Sequence, residues 1–113
     1  MKNLLHETIE ALTENGKTTE DVCWVGAVVG KYSESKFVEI PTDEFWKVAD
    51  RAYDNGFGGA EVNESLVIVG DDWWLERAEY DGSEWWEFKT LPKKLAERAS
   101  GNVLTAIFNE AYL

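Results

Sequence analysis

The stretch from Leu66 to Lys89, LVIVGDDWWLERAEYDGSEWWEFK, constrains the fold more than any other part of the chain, because it holds four of the six tryptophans as two adjacent pairs. Side chains alternate between the two sides of a strand, so each pair must split and send one indole to either face. Leu66-Val67-Ile68-Val69 is a short β-branched run and Gly70-Asp71-Asp72 a tight turn. A second strand follows from Trp73 to about Tyr80. Asp81-Gly82 carries hairpin chemistry, since Gly accepts the positive φ that hairpin turns demand and Asp tolerates it. A third strand from about Glu84 to Lys89 completes a three-stranded antiparallel meander.

The register of that hairpin follows from which side chains end up opposite one another. A two-residue Asp81-Gly82 turn sets Glu79 against Glu84 and Glu76 against Glu87, and like charges directly opposite are destabilising. A three-residue loop, Tyr80-Asp81-Gly82, sets Arg77 against Trp85 and Trp73 against Lys89, two cation–π pairs worth roughly 0.5–1 kcal/mol each when exposed. The pattern therefore favours the three-residue loop. Trp74, Ala78, Trp86 and Phe88 then face the core, with Trp73, Leu75, Arg77, Trp85 and Glu87 on the other side.

With 113 residues the chain makes one domain, residues 1–113. No stretch is apolar for the ~18 residues a membrane span needs, and the first residues do not resemble a secretory signal, so a cytoplasmic protein is expected. The lone Cys23 lies in an apolar run and reads as a buried, inert thiol. Neither a thiolate metal site nor an internal disulfide is expected from a single cysteine. The net charge of −11 opposes direct binding to nucleic acid, and it is concentrated: residues 61–87 hold nine acids against Arg77 alone, whereas residues 88–113 are mildly basic.

Elsewhere, Asn3 caps a first helix whose buried side is Leu5, Thr8, Ile9 and Leu12, with Glu7, Glu10 and Glu14 outward and Asn15-Gly16 as the stop. The single histidine, His6, has no partner suited to catalysis and reads as a surface group. Val22 to Val25 and Phe37 to Ile40 form an N-terminal hairpin. Thr42 caps a second helix that runs to Asn55-Gly56 and buries Phe45, Val48, Ala49 and Ala52. The glycine-rich Gly56-Phe57-Gly58-Gly59 follows a helix and precedes a strand, the reverse of a phosphate loop, so it reads as a crossover with Phe57 pinned in the core. Lys93 to Ala99 suits a helix, and Asn102 caps a last one whose Val103, Leu104, Ile107, Phe108 and Ala111 spacing suits packing on the sheet. The expected class is α+β: an antiparallel sheet, made of the N-terminal hairpin and the meander, with about three helices packed against it.

Three blocks, DVCWVG at 21–26, ADRAYDNGFGG at 49–59, and WWLER with EYDGSEWWEF between Trp73 and Phe88, resemble a family of small proteins encoded by bacteriophages and prophages. The likeness covers about residues 3–92. It implies a viral origin in a bacterial host and a protein acting on host machinery. A small acidic domain suits a basic groove that otherwise holds nucleic acid, because its carboxylates replace phosphates as partners for Lys and Arg. The expected function is thus a non-catalytic inhibitor, anti-CRISPR-like or DNA-mimic-like, bound to a host protein such as a CRISPR effector. The contact set expected is Asp71, Asp72, Trp73, Glu76, Glu79, Asp81, Glu84, Trp85 and Glu87, with no metal and no cofactor. A carbohydrate-binding module, whose exposed tryptophans stack on sugars, and a phage morphogenesis component are the alternatives.

Overall fold

The structure, a computed structural model, describes residues 1–56, 58–93 and 101–113. The expectations placed on Phe57 and on most of the helix-compatible 93–99 stretch lie outside the described residues. The fold is α+β with an antiparallel sheet, as the sequence pattern implies. After β1 (Lys2–Asn3), the Asn3 side chain accepts from the His6 amide and starts α1 (Leu4–Glu14). This satisfies one of the amide groups that a helix start leaves without an internal partner. A 3₁₀ turn at Thr19–Asp21 leads into β2 (Trp24–Val29), which pairs with β3 (Lys36–Ile40) as the N-terminal hairpin.

The second helix, α2 (Thr42–Val48), is shorter than the expected run to Asn55. Ala52–Tyr53 instead forms β4 and pairs with β1, tying the start of the chain to the segment after α2. Phe45 and Ala49 are buried as expected, whereas Val48 and Ala52 are exposed. The meander follows as β5 (Val67–Val69), β6 (Trp73–Tyr80) and β7 (Ser83–Thr90), giving a five-stranded sheet of order β3-β2-β5-β6-β7. Cys23 is exposed just before β2, so the buried-thiol reading does not hold.

The β6–β7 register differs from the three-residue loop that the like-charge argument favours. Glu79 lies opposite Glu84 and Tyr80 opposite Ser83, across the two-residue turn Asp81-Gly82. Both turn residues have positive φ, 50° and 84°, which matches the twist of a two-residue hairpin and needs Gly or a residue that tolerates the left-handed region. Because side chains alternate with a period of two, the one-residue difference inverts β6 while leaving β7 as expected. Trp73 and Leu75 therefore enter the core, and Trp74 and Ala78 leave it; Trp86 is buried and Phe88 packs against the core from its edge.

One side of the sheet carries the core. Val25, Ala27, Ile68, Trp73, Leu75 and Trp86 form one core cluster with Leu12 of α1, Phe45 of α2 and Ala49, which caps the end of α2. Trp73 is only 1% exposed, stacks on Phe88 with ring centroids 5.6 Å apart, and receives the Lys17 ammonium 5.7 Å from its centroid. Gly70 leaves room for that indole, since a Cβ there would collide with the ring. The last helix, α3 (Val103–Ile107), is capped by Asn102 as expected but does not pack on the sheet, and residues 101–113 are all exposed.

Trp86 fills the seam between β7 and α1, and its indole N–H donates to the Thr8 hydroxyl at 2.9 Å. Replacing it with Ala removes a core aromatic and strands that hydroxyl. Trp86→Ala is expected to cost about 3–5 kcal/mol in urea unfolding, the range for a lost core aromatic, whereas Trp85→Ala, on the open side of the same strand, is expected to cost under about 1.5 kcal/mol.

Candidate interaction face and its buried ionic support

Two groupings of polar and aromatic side chains stand on opposite sides of the β6–β7 ribbon. The first is buried. Arg77 points from β6 toward the helices with its side chain 3% exposed. Its Nη1 donates to Glu7 Oε1 on α1 at 3.2 Å, and its Nη2 donates to Glu84 Oε1 on β7 at 2.9 Å and to the Tyr53 hydroxyl on β4 at 3.1 Å. The Tyr53 hydroxyl donates in turn to Glu7 Oε1 at 2.6 Å. Glu84 also accepts the backbone amides of Glu61 at 2.7 Å and Val62 at 3.2 Å, which fixes the loop crossing to β5. The guanidinium lies 4.7 Å from the Trp86 ring centroid and 5.7 Å from that of Tyr53. Glu7 is thus a buried ligand of Arg77 rather than an outward residue of α1, and the aromatic partners of Arg77 are Trp86 and Tyr53, not Trp85.

This cluster explains why the two-residue turn prevails. Opposed Glu79 and Glu84 do not face one another as two solvated charges, because Glu84 is turned into the core against a cation and two amides while Glu79 stays exposed. Charge-assisted hydrogen bonds of this kind are stronger than the repulsion avoided by the other register. Burial, then the hydrogen bond to Glu7, push the Tyr53 phenol up to about 12, against the opposing pull of Arg77. Burial works against the charged form of Arg77, but the hydrogen bonds to Tyr53 and Glu84 outweigh it and hold the guanidinium above its ordinary value. Among the described residues' buried side-chain polar atoms, Arg77 Nε alone has no hydrogen-bond partner; Arg77 also lines a cavity of about 360 Å³ with Val62, Glu64 and Glu79.

The second grouping is the other face of the sheet, which no helix among the described residues covers. Strand register sets Trp24, Val69, Trp74 and Lys89 in one row across it, and Glu39, Gly26, Val67, Glu76 and Glu87 in the next. Beyond these lie Phe37 opposite Val28, and Ala78 opposite Trp85. None of these aromatic side chains belongs to the core cluster or packs against it. Trp85 is 37% and Phe37 56% exposed. Phe37 meets Trp24 edge to face at 5.7 Å and lies over Gly26, where a Cβ would collide with it. The Trp74 indole donates to Glu76 Oε1 at 2.7 Å, and Glu87 pairs with Lys89 at 3.3 Å.

The expected contact set is accordingly divided. Glu76, Trp85 and Glu87 come together on the open face. Asp81 and Glu79 are exposed at the hairpin end of the ribbon. Asp71 and Asp72 sit at the opposite turn, where Lys93, 2.8 Å away, hydrogen-bonds Asp72 and holds its carboxyl below the usual range. Trp73 and Glu84 are withdrawn from any contact: inverting β6 makes the first a core side chain, and the Arg77 cluster encloses the second. Sequence reasoning missed Trp24, Trp74 and Phe37 as surface aromatics, and missed Glu7 and Tyr53 as ligands of Arg77. The available signal was that Arg77 is the one base among nine acids in residues 61–87. Comparison of the chain with protein-family models, curated proteins and solved structures finds no match.

Arg77→Ala leaves Glu7 and Glu84 buried without their cation and is expected to cost about 3–5 kcal/mol, the range for breaking a buried pair from one side. The raised Tyr53 phenol also gives a pH signature. Between its ordinary value of 10 and the folded value of about 12, the unfolded chain gives up the proton and the folded one keeps it. That part of the stability is complete below pH ~10 and is lost as pH rises toward ~12. Urea unfolding is expected to show an alkaline loss in this window that Tyr53→Phe diminishes.

Proposed function

We propose that this protein is a non-catalytic binding protein of phage origin, acting in the bacterial cytoplasm as an inhibitor of a host nucleic-acid-binding defence system. The observation that carries this reading is the open sheet face, on which Trp24, Trp74 and Trp85 stand among Glu39, Glu76 and Glu87. Large aromatic side chains outside the core supply the anchors that interfaces favour, and the carboxylates between them suit Arg and Lys. A guanidinium can stack on an indole while bonding a neighbouring carboxylate, and such groups line grooves that hold nucleic acid. Glu79 and Asp81 continue the acidic surface along the ribbon. The partner that fits is a host protein with a basic groove, of the kind a CRISPR effector presents. With Trp73 and Glu84 enclosed, the working set becomes Trp24, Trp74, Glu76, Glu79, Asp81, Trp85 and Glu87.

A second reading, carbohydrate binding, has its own observation: Trp24 and Trp74 flank Val69 on an uncovered sheet face, and indole faces stack on sugar rings. Ionic strength separates the two readings. Binding through carboxylates weakens as salt rises, because steering by charge is screened over about 8–10 Å at physiological ionic strength. Stacking on a neutral sugar does not.

The test uses immobilised protein and nuclease-treated host lysate. The expected result is retention of a basic nucleic-acid-binding protein that excess duplex DNA displaces and rising salt releases. Glu76→Lys, Glu79→Lys and Glu87→Lys together are expected to abolish retention with a modest loss of stability, since Glu79 is exposed and Glu76 and Glu87 give up only surface contacts to Trp74 and Lys89. The same reversal at Glu10 and Glu14 of α1 is expected to leave it intact. Retention that survives the hairpin reversal at low salt, or that DNA does not displace, contradicts groove competition.

A further inference from the structure

Among the described residues two apolar surfaces are left exposed, and they suit one another. One is the open face of Trp24, Val69, Trp74, Val67, Phe37 and Trp85. The other is the C-terminal segment 101–113, in which Val103, Leu104 and Ile107 lie in the short helix α3 and Phe108 follows as its extended C-cap residue. Val103, Ile107 and Phe108 are 70%, 67% and 54% exposed, and Tyr112 and Leu113 beyond them are also exposed. A helix with an apolar stripe at this spacing ordinarily gains its stability by burying the stripe. Here these side chains stay half to two thirds exposed and none belongs to the core cluster.

We propose that segment 101–113 is an exchange arm that docks on the open tryptophan face of a second copy of this chain, so that two copies embrace reciprocally. The shape of the molecule favours a second copy over the arm's own sheet. The Cα radius of gyration is 18.1 Å and the long dimension 51 Å against 32 Å for the other two, whereas a compact chain of this length has a radius near ~13 Å. The arm therefore projects away from its own domain. Its base is tied at the β5–β6 turn, where the Leu91 amide donates to the Asp72 carbonyl at 2.9 Å and Lys93 pairs with Asp72. The roughly ten residues between β7 and the arm reach at most ~35 Å, several times the ~5 Å spacing between strands of a sheet.

Charge points the same way. The arm itself carries only Glu110, so docking desolvates few ions. Lys94 and Arg98 precede it in the chain with Glu97 between them, a small positive excess opposite in sign to Glu39 and Glu76 on the face that receives it. Reciprocal docking uses the same two patches twice, as a closed two-fold dimer requires, and doubles the surface buried by one arm. The inference concerns the chain alone and is measured without any host partner, so it stands or falls apart from the inhibitor reading; a docked arm covers Trp24, Trp74 and Trp85, and a host partner would have to displace it from that face.

Sedimentation of the purified chain over a range of concentrations tests it. The full chain is expected to be a dimer. Leu104→Asp with Phe108→Asp, both at exposed positions outside the core, is expected to weaken association by about a hundredfold or more, as loss of central apolar anchors does. Trp24→Glu with Trp85→Glu is expected to do the same from the receiving side, with circular dichroism confirming the fold. Mixing the arm variant with the face variant restores one intact arm–face contact, so the mixture is expected to form heterodimers that neither variant forms alone. A full chain that remains monomeric overturns the proposal, including one whose arm folds back on its own sheet. A dimer that survives the arm substitutions, or a mixture that does not associate, overturns it equally.

Discussion

The interaction on which the rest depends is the burial of Arg77 between Glu7, Glu84, Tyr53 and the Trp86 ring. One side chain on β6 thereby connects α1, β4, β7 and the loop that enters β5. A buried pair of this kind is not a large source of stability, since desolvation offsets much of the attraction. Its effect is on specificity. Any register that moves Arg77 to the open face leaves Glu7 and Glu84 enclosed without a cation, which costs far more than the repulsion between exposed carboxylates.

Register then decides which aromatic side chains hold the protein together and which are offered to others. With Arg77 inward, Trp73 and Leu75 are inward by the two-residue period of the strand, and Trp74, Glu76 and Ala78 are outward. The β7 strand divides in the same way into Trp86 and Phe88 on one side and Trp85 and Glu87 on the other. The open face is the complement of the core, fixed by the same ladder of hydrogen bonds. Trp85 and Trp86, adjacent on one strand, therefore stand on opposite faces, and the proposed contact set can be altered at Trp85 without touching the core that holds Trp86.

Much of the architecture was legible in the chain. Asn3 and Asn102 announced their helices by capping chemistry, the β-branched runs gave β2, β3 and β5, and Asp81-Gly82 located the hairpin turn. What was not legible had a common cause: the pairings are long-range. The like-charge rule applied to Glu79 and Glu84 treats both as solvated, and only tertiary structure shows that Glu84 is not. Glu7 looked like a solvated helix residue because its partner is 70 positions away. The short β1–β4 pair, two residues on each side, carries too little pattern to be seen. The spacing of Val103, Leu104, Ile107, Phe108 and Ala111 suggests one helix packed on the sheet, but α3 ends at Ile107 and its residues are exposed, because apolar spacing alone does not say where a helix stops or which surface receives it.

The backbone register at the hairpin is the most direct measure of this account. Arg77 with Trp86, and Glu79 with Glu84, are directly opposite pairs. The Glu84 amide donates away from β6, to the Asn55 carbonyl, so these are non-hydrogen-bonded pairs with closely approaching Cα atoms. A nuclear Overhauser spectrum is expected to show Hα–Hα contacts between Arg77 and Trp86 and between Glu79 and Glu84. A contact between Arg77 and Trp85 in their place would put Arg77 on the open face and contradict the claim that its burial sets the fold.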